Sequence, residues 1–317
     1  MRWARAAALF CVLSMALGCL AGAGHIEERP ARAAAQAPDA PPCAARLRGG
    51  PRDFGPRDHH HLGRARVVEM IQDVRRTLIR RYGHADPDRL GSGERRAAIT
   101  VPVHFHAISS GSAGRLPRAT VERQIGAMNA AYGGRAGGAD TGVRFRLDSF
   151  TVVDNPAWFR GPQQHERQMK QALRRGGRGT LNLYSAAVGA AVLGFSTFPQ
   201  AYSAMPVLDG VVVDYRSLPG GTYRNYNRGH TAVHEIGHWL GLFHTFENGC
   251  QAPGDGVADT PYQRTATNNC PVGKDTCPEP GMDAVHNFMD YSWDVCMREF
   301  TAGQGRAIRA AWAAYRA

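Results

Sequence analysis

The sequence predicts an α/β (α+β) domain in which a twisted, mixed five-stranded sheet with helices precedes a loop-rich second part, and three observations carry that reading. Residues 97–106, 143–153, 180–186, 191–197 and 210–214 are rich in β-branched and alternating apolar residues, the pattern of strands. Helical spacing falls between them, over 121–132 and 164–174. Residues 247–286 are instead mostly Gly, Pro, Asp, Asn and Cys, so they read as one long loop ahead of a closing helix over 301–315.

Taken in order, Arg2 and Arg5 precede an apolar run that ends in small residues, the layout of a secretory leader cut after Ala23. Export is expected, with no membrane span in the mature form. Two competing readings are a membrane anchor, weakened by Gly18, Gly22 and Gly24, and lipid attachment at Cys19, weakened by Ala16 where a bulkier aliphatic residue is usual. Residues 24–96 read as a pro-region. Up to about residue 64 it is rich in Ala, Pro, Arg and Gly without periodicity. Its run His59-His60-His61 is read as solvated, because three adjacent imidazoles do not converge readily on one tetrahedral ion. Over 67–82 the apolar positions Val67, Val68, Ile71, Val74, Leu78 and Ile79 predict a helix, which either belongs to the pro-region or caps the domain that follows. Residues 97–317 form the expected main folded domain.

Net charge and cysteine count narrow the class. The formal charge is +11, from 38 Lys plus Arg against 27 Asp plus Glu, but Arg is dispersed and no nucleic-acid motif accompanies it, so no nucleic-acid partner is expected. Of seven cysteines, Cys11 and Cys19 lie in the leader, and Cys250, Cys270, Cys277 and Cys296 cluster in the loop-rich part, as two disulfides of an exported protein would. Cys43 is left over.

The chemistry lies at His234-Glu235-Ile236-Gly237-His238, followed by Trp239-Leu240-Gly241-Leu242-Phe243-His244. His234 and His238 sit one helical turn apart and can reach one ion from the same face. If the helix continued, His244 would lie roughly 15 Å along the axis from His234. The chain must therefore turn, and Gly241 can adopt the left-handed conformation that ends a helix. Three imidazoles leave a zinc ion an open position for water, as in a catalytic site. Glu235, beside the first ligand, is placed to take a proton from that water and return it to a leaving amine. A zinc-bearing protein that binds peptides without turnover is the alternative, and the presence of Glu235 argues against it.

The flanking text resembles the pappalysin family of metzincin metalloproteases, in its secreted, cytophagalysin-type bacterial and fungal branch. The resemblance rests on Asp209-Gly210-Val211-Val212-Val213, Leu218-Pro219-Gly220-Gly221, Gly229-His230-Thr231-Ala232-Val233 before the histidine motif, and His244-Thr245-Phe246 after it. Val257-Ala258-Asp259-Thr260-Pro261, Val285-His286-Asn287-Phe288-Met289-Asp290-Tyr291-Ser292 and Cys296-Met297-Arg298-Glu299-Phe300-Thr301 extend it, so that it covers roughly 97–317.

That resemblance implies a metzincin-like fold and a zinc endopeptidase acting on proteins or peptides. It implies a Met-turn at Met289, an oxyanion-stabilising Tyr291, and an upper-rim strand at Gly194-Phe195-Ser196 that pairs with extended substrate. It also favours the pairings Cys250–Cys277 and Cys270–Cys296, and a calcium site using Asp255, Thr260 and the Val257 carbonyl, for which a metal-free Asp/Gly turn is the competing reading. Asp294 either sets a preference for Arg or Lys after the scissile bond or caps a turn. Cys43 either supplies a latency thiolate to the zinc or is a solvent-exposed or dimer-forming thiol. Oligomeric state is not readable from the sequence.

Overall fold

The computed structural model describes residues 62–86, 89, 98–189 and 192–317. The leader with Cys19, Cys43 and His59–His61 lie outside the described residues. The elements are α1 (Arg64–Tyr82), β1 (Ile99–Ser109), α2 (Arg118–Tyr132), β2 (Val143–Asp154), α3 (Pro156–Arg160), α4 (Glu166–Leu173), β3 (Leu181–Ala186), β4 (Gly194–Ser196), β5 (Val211–Asp214), α5 (His230–Trp239) and α6 (Ala302–Tyr315).

The five strands form one mixed sheet in the order β2-β1-β3-β5-β4. β2, β1, β3 and β5 are parallel, and β4 pairs antiparallel with β5 at the edge. Successive strand residues point to opposite faces, so Val211 and Val213 join one apolar layer while Val212 joins the other. The first layer lies under α2 and α5 and contains Val103, Phe105, Tyr132, Ile236 and Trp239. The second lies under α3 and α4 and contains Phe159, Met169 and Tyr184. Helices on both faces explain why the central strands read as continuous apolar runs.

Two elements depart from expectation. β4 spans three residues rather than 191–197, because Thr197 leaves the ladder: its hydroxyl lies 3.4 Å from the Asp209 carboxylate and accepts from the Gly210 N–H at 3.2 Å. The helix α3 was not anticipated. Asn155 caps it, accepting from the N–H groups of Ala157 and Trp158, and Pro156 fits its first turn, but five residues are too few to show a period.

Helix α1 packs along α6 and against Phe198 and Phe243. Val67 and Met70 pack with Phe198 and Phe243, while Leu78 packs with Ala310, Ala313 and Ala314 of α6. The Tyr315 hydroxyl donates to Asp73 at 2.6 Å, and Arg81 donates to the Ala313 carbonyl. Past α5, disulfides Cys250–Cys277 and Cys270–Cys296 staple the long loop, with Cα separations of 5.4 and 5.9 Å. A reciprocal capping box between Thr301 and Gln304 then starts α6.

Candidate active site

Helix α5 begins after Gly229, whose φ of 87° is left-handed. One face of the helix places Ala232, Val233, Ile236 and Trp239 in the core, and the Tyr132 hydroxyl of α2 ties down the Val233 carbonyl at 2.9 Å. His234, Glu235 and His238 occupy the other face. The helix ends in a Schellman motif: Gly241 N–H donates to the His238 carbonyl and Leu242 N–H to that of Gly237, each at 2.9 Å. Gly241 has φ 98°, as the predicted reversal requires, and a Cβ there would lie 2.7 Å from Ala311 of α6.

The reversal carries His244 back beside the first two histidines. Nε2 of His238 lies 3.2 Å from that of His234 and 3.1 Å from that of His244. Each Nδ1 faces an acceptor: the Phe288 carbonyl for His234 at 2.7 Å, the Leu242 carbonyl for His238 at 2.8 Å, and Glu247 Oε2 for His244 at 3.3 Å. Such acceptors assign the ring protons to Nδ1 and leave a lone pair on every Nε2. Tetrahedral bonds of 2.0–2.1 Å to one zinc would separate the nitrogens by about 3.3–3.4 Å, so this cluster fits the ion with small adjustments.

Met289 is fully buried under the histidines. Its sulfur lies against Gly237, where a Cβ would collide with it, so the glycine inside the motif is as necessary as the one that ends the helix. Sequence reading missed this role, although a small residue between two ligands was its available signal. The turn is held by Asn287, which accepts from Met289 N–H at 2.9 Å and exchanges side-chain hydrogen bonds with Gln304. Glu247 was missed as well, although its spacing of three from His244 was visible.

Glu235 Oε2 accepts from the Ser196 hydroxyl at 2.9 Å, and its Cγ would meet a Cβ on Gly194 at 2.7 Å. The rim residues Gly194 and Ser196 therefore shape the place of the carboxylate, with Phe195 between them in β4. The Tyr291 hydroxyl lies 3.2 Å from His244 Nε2. Beside His234 and Glu235 a cavity is lined by Leu193, Tyr226, His230, Asp294 and Met297. Asp294 accepts from the Arg228 N–H at 2.7 Å, and burial pushes its carboxyl up to about 7.

The calcium candidates form a separate group. The Thr260 hydroxyl lies 2.7 and 2.8 Å from the two Asp255 oxygens and 2.7 Å from the Val257 carbonyl. One hydroxyl proton cannot serve three acceptors. Burial, acting against the hydrogen bonds from Thr260 and Val257, pushes the Asp255 carboxyl up to about 7.

A histidine pair one turn apart, a glycine reversal to a third histidine and a buried methionine turn below them define a metzincin-type metalloprotease. Comparison with known proteins gives the family. The peptidase M43 model, described as pregnancy-associated plasma protein-A, matches residues 185–313. An extracellular metalloprotease of Trichophyton verrucosum is 42% identical over 230 residues, covering 71% of this chain and 82% of that protein. One of Verticillium alfalfae is 44% identical over 221 residues, covering 68% and 77%. Mature mirolysin of Tannerella forsythia, solved in complex with a cleaved peptide, is similar with a TM-score of 0.60 at 26% identity, covering 67% of this chain and 91% of that one. The chain belongs to the peptidase M43, or pappalysin, family and is a metalloprotease. Family and histidine cluster together support zinc as its metal.

Proposed function

We propose that the protein is an exported zinc endopeptidase in which His234, His238 and His244 hold the metal and Glu235 is the general base and acid. The observation that carries this reading is the convergence of three Nε2 atoms beside a carboxylate already oriented by Ser196. A zinc ion at that place supplies Lewis acidity, acidifying water and polarising a peptide carbonyl. Glu235 takes the proton of the attacking water and passes it to the leaving amine. The Tyr291 hydroxyl donates to the developing oxyanion, and β4, at the sheet edge, aligns an extended substrate by main-chain hydrogen bonds. Export rests on the leader over 1–23 and on relatives named as extracellular. Among the described residues no helix is long and apolar enough to cross a membrane.

Three finer roles belong to the same proposal. Residues 24–96 precede the catalytic domain as a pro-region, and Cys43 within it supplies the thiolate that keeps the zymogen latent. A Cys43→Ser precursor as latent as wild type would remove that role. Asp255, Thr260 and the Val257 carbonyl hold calcium, whose hard character suits oxygen donors. Asp294, at the cavity wall, selects Arg or Lys after the scissile bond, with Arg favoured by its planar fork. Peptide-library cleavage profiling tests the last point: wild type should enrich Arg or Lys after the cut and Asp294→Ala should lose the enrichment. Equal profiles would leave Asp294 as a backbone cap.

A further inference from the structure

The Schellman motif that ends α5 satisfies the carbonyls of Gly237 and His238, and Leu240 N–H takes that of Ile236. The next carbonyl, of Trp239, belongs to the group that every helix leaves without an internal partner, and here it is buried. Arg316, the residue after α6, fills that place: its Nε donates to the Trp239 carbonyl at 2.9 Å. The same guanidinium lies over the Trp239 ring, 3.5 Å from the centroid, and pairs with Asp209 at 3.0 Å. A further N–H donates to the Arg178 carbonyl at 2.8 Å. Asp209 in turn accepts from the Trp239 indole N–H at 3.1 Å and adjoins Thr197, at the end of the rim strand. Arg316 is 2% and Asp209 1% exposed, so both charges are spent inside the protein.

Purely structural ion pairs are poor sources of stability when buried, because desolvation opposes their attraction. What this pair does have is position. The clamped carbonyl opens the turn whose Leu242 carbonyl, three residues on, orients His238 through Nδ1 at 2.8 Å. The same turn delivers His244. We propose that Arg316 and Asp209 are positioning residues of the metalloprotease centre: they lock the end of the histidine helix and so hold His238 and His244 at ligand geometry. The proposal rests on the zinc reading above.

The test uses the full active protein, with zinc content and the rate of zinc loss to a chelator measured beside kcat and KM. Asp209→Asn/Arg316→Met removes both charges together, leaving no lone buried ion; the Trp239 and Arg178 carbonyls lose their donor, so it should melt somewhat lower than wild type but still fold. It should nevertheless lose zinc about 10-fold faster, within the range seen when outer partners of metal ligands are removed. Its kcat should fall with KM unchanged. A double variant with the zinc retention and kcat of wild type would overturn the proposal. If that variant does not fold, Arg316→Lys, which keeps the charge but loses the Nε bond to Trp239, should show faster zinc loss, and a wild-type rate there would overturn the proposal equally. Wild type that carries no stoichiometric zinc would instead sink the metal-site reading itself, so the two failures are distinguishable.

Discussion

The histidine cluster and the Asp255 loop bring donor atoms together in opposite ways. Each imidazole donates its Nδ1 proton to a fixed acceptor, and its Nε2 lone pair points to the common centre. The framework behind them is also fixed, by Met289 against Gly237 and by the turn at Gly241. In the Asp255 loop four oxygens meet around one hydroxyl proton, so acceptors face one another. The first site is organised by the fold before a metal arrives. In the second, burial pushes the Asp255 carboxyl up to about 7, and under the proposal above a cation takes the place of its proton.

The largest effect expected from this contrast follows chelation. A strong chelator should bring peptide hydrolysis to background, and stoichiometric zinc should restore it while calcium alone does not. Restoration by calcium alone, followed with a quenched peptide substrate, would erase the distinction between the sites.

A smaller effect belongs to Asp255. Its folded pKa of about 7 lies above the ordinary 3.8, so the folded state binds more protons between those values. Metal-free protein should therefore lose stability as pH rises from about 4 through about 7. Calcium should reverse that slope by taking the place of the proton, so that its stabilising effect grows over the same window. Asp294 contributes a slope of the same sign, so thermal melts of Asp255→Asn isolate the loop: the calcium response should vanish and part of the pH slope with it. A calcium response retained in that variant would remove the proposed site.

The same contrast governs what could be read from sequence. Unlike the Met-turn at Met289, which came from family likeness, the histidine helix and its reversal are local patterns, where spacing alone states the geometry. The strands were visible for the same reason, since β3 and β5 are buried throughout, while β1 and the edge strand β2 alternate apolar with polar residues. Parts made by distant partners left no such trace: Arg316 meets Asp209 across 107 positions, and Asn287 meets Gln304 across 17. Cys250–Cys277 and Cys270–Cys296 came from family likeness, because four cysteines allow three pairings. Asp294 lines the cavity beside His234 and Glu235, and its bond to the Arg228 N–H depends on a loop fold that sequence does not display.

The central claim is that Glu235 moves the proton while the three histidines hold the metal, and one comparison tests it most directly. Glu235→Ala and wild type should be loaded to the same zinc content and assayed on the same peptide. Zinc should remain stoichiometric in the variant, since no ligand is touched, while kcat falls about 10²–10⁴-fold, the usual contribution of a general acid–base group. Full activity in the zinc-loaded variant would contradict the account.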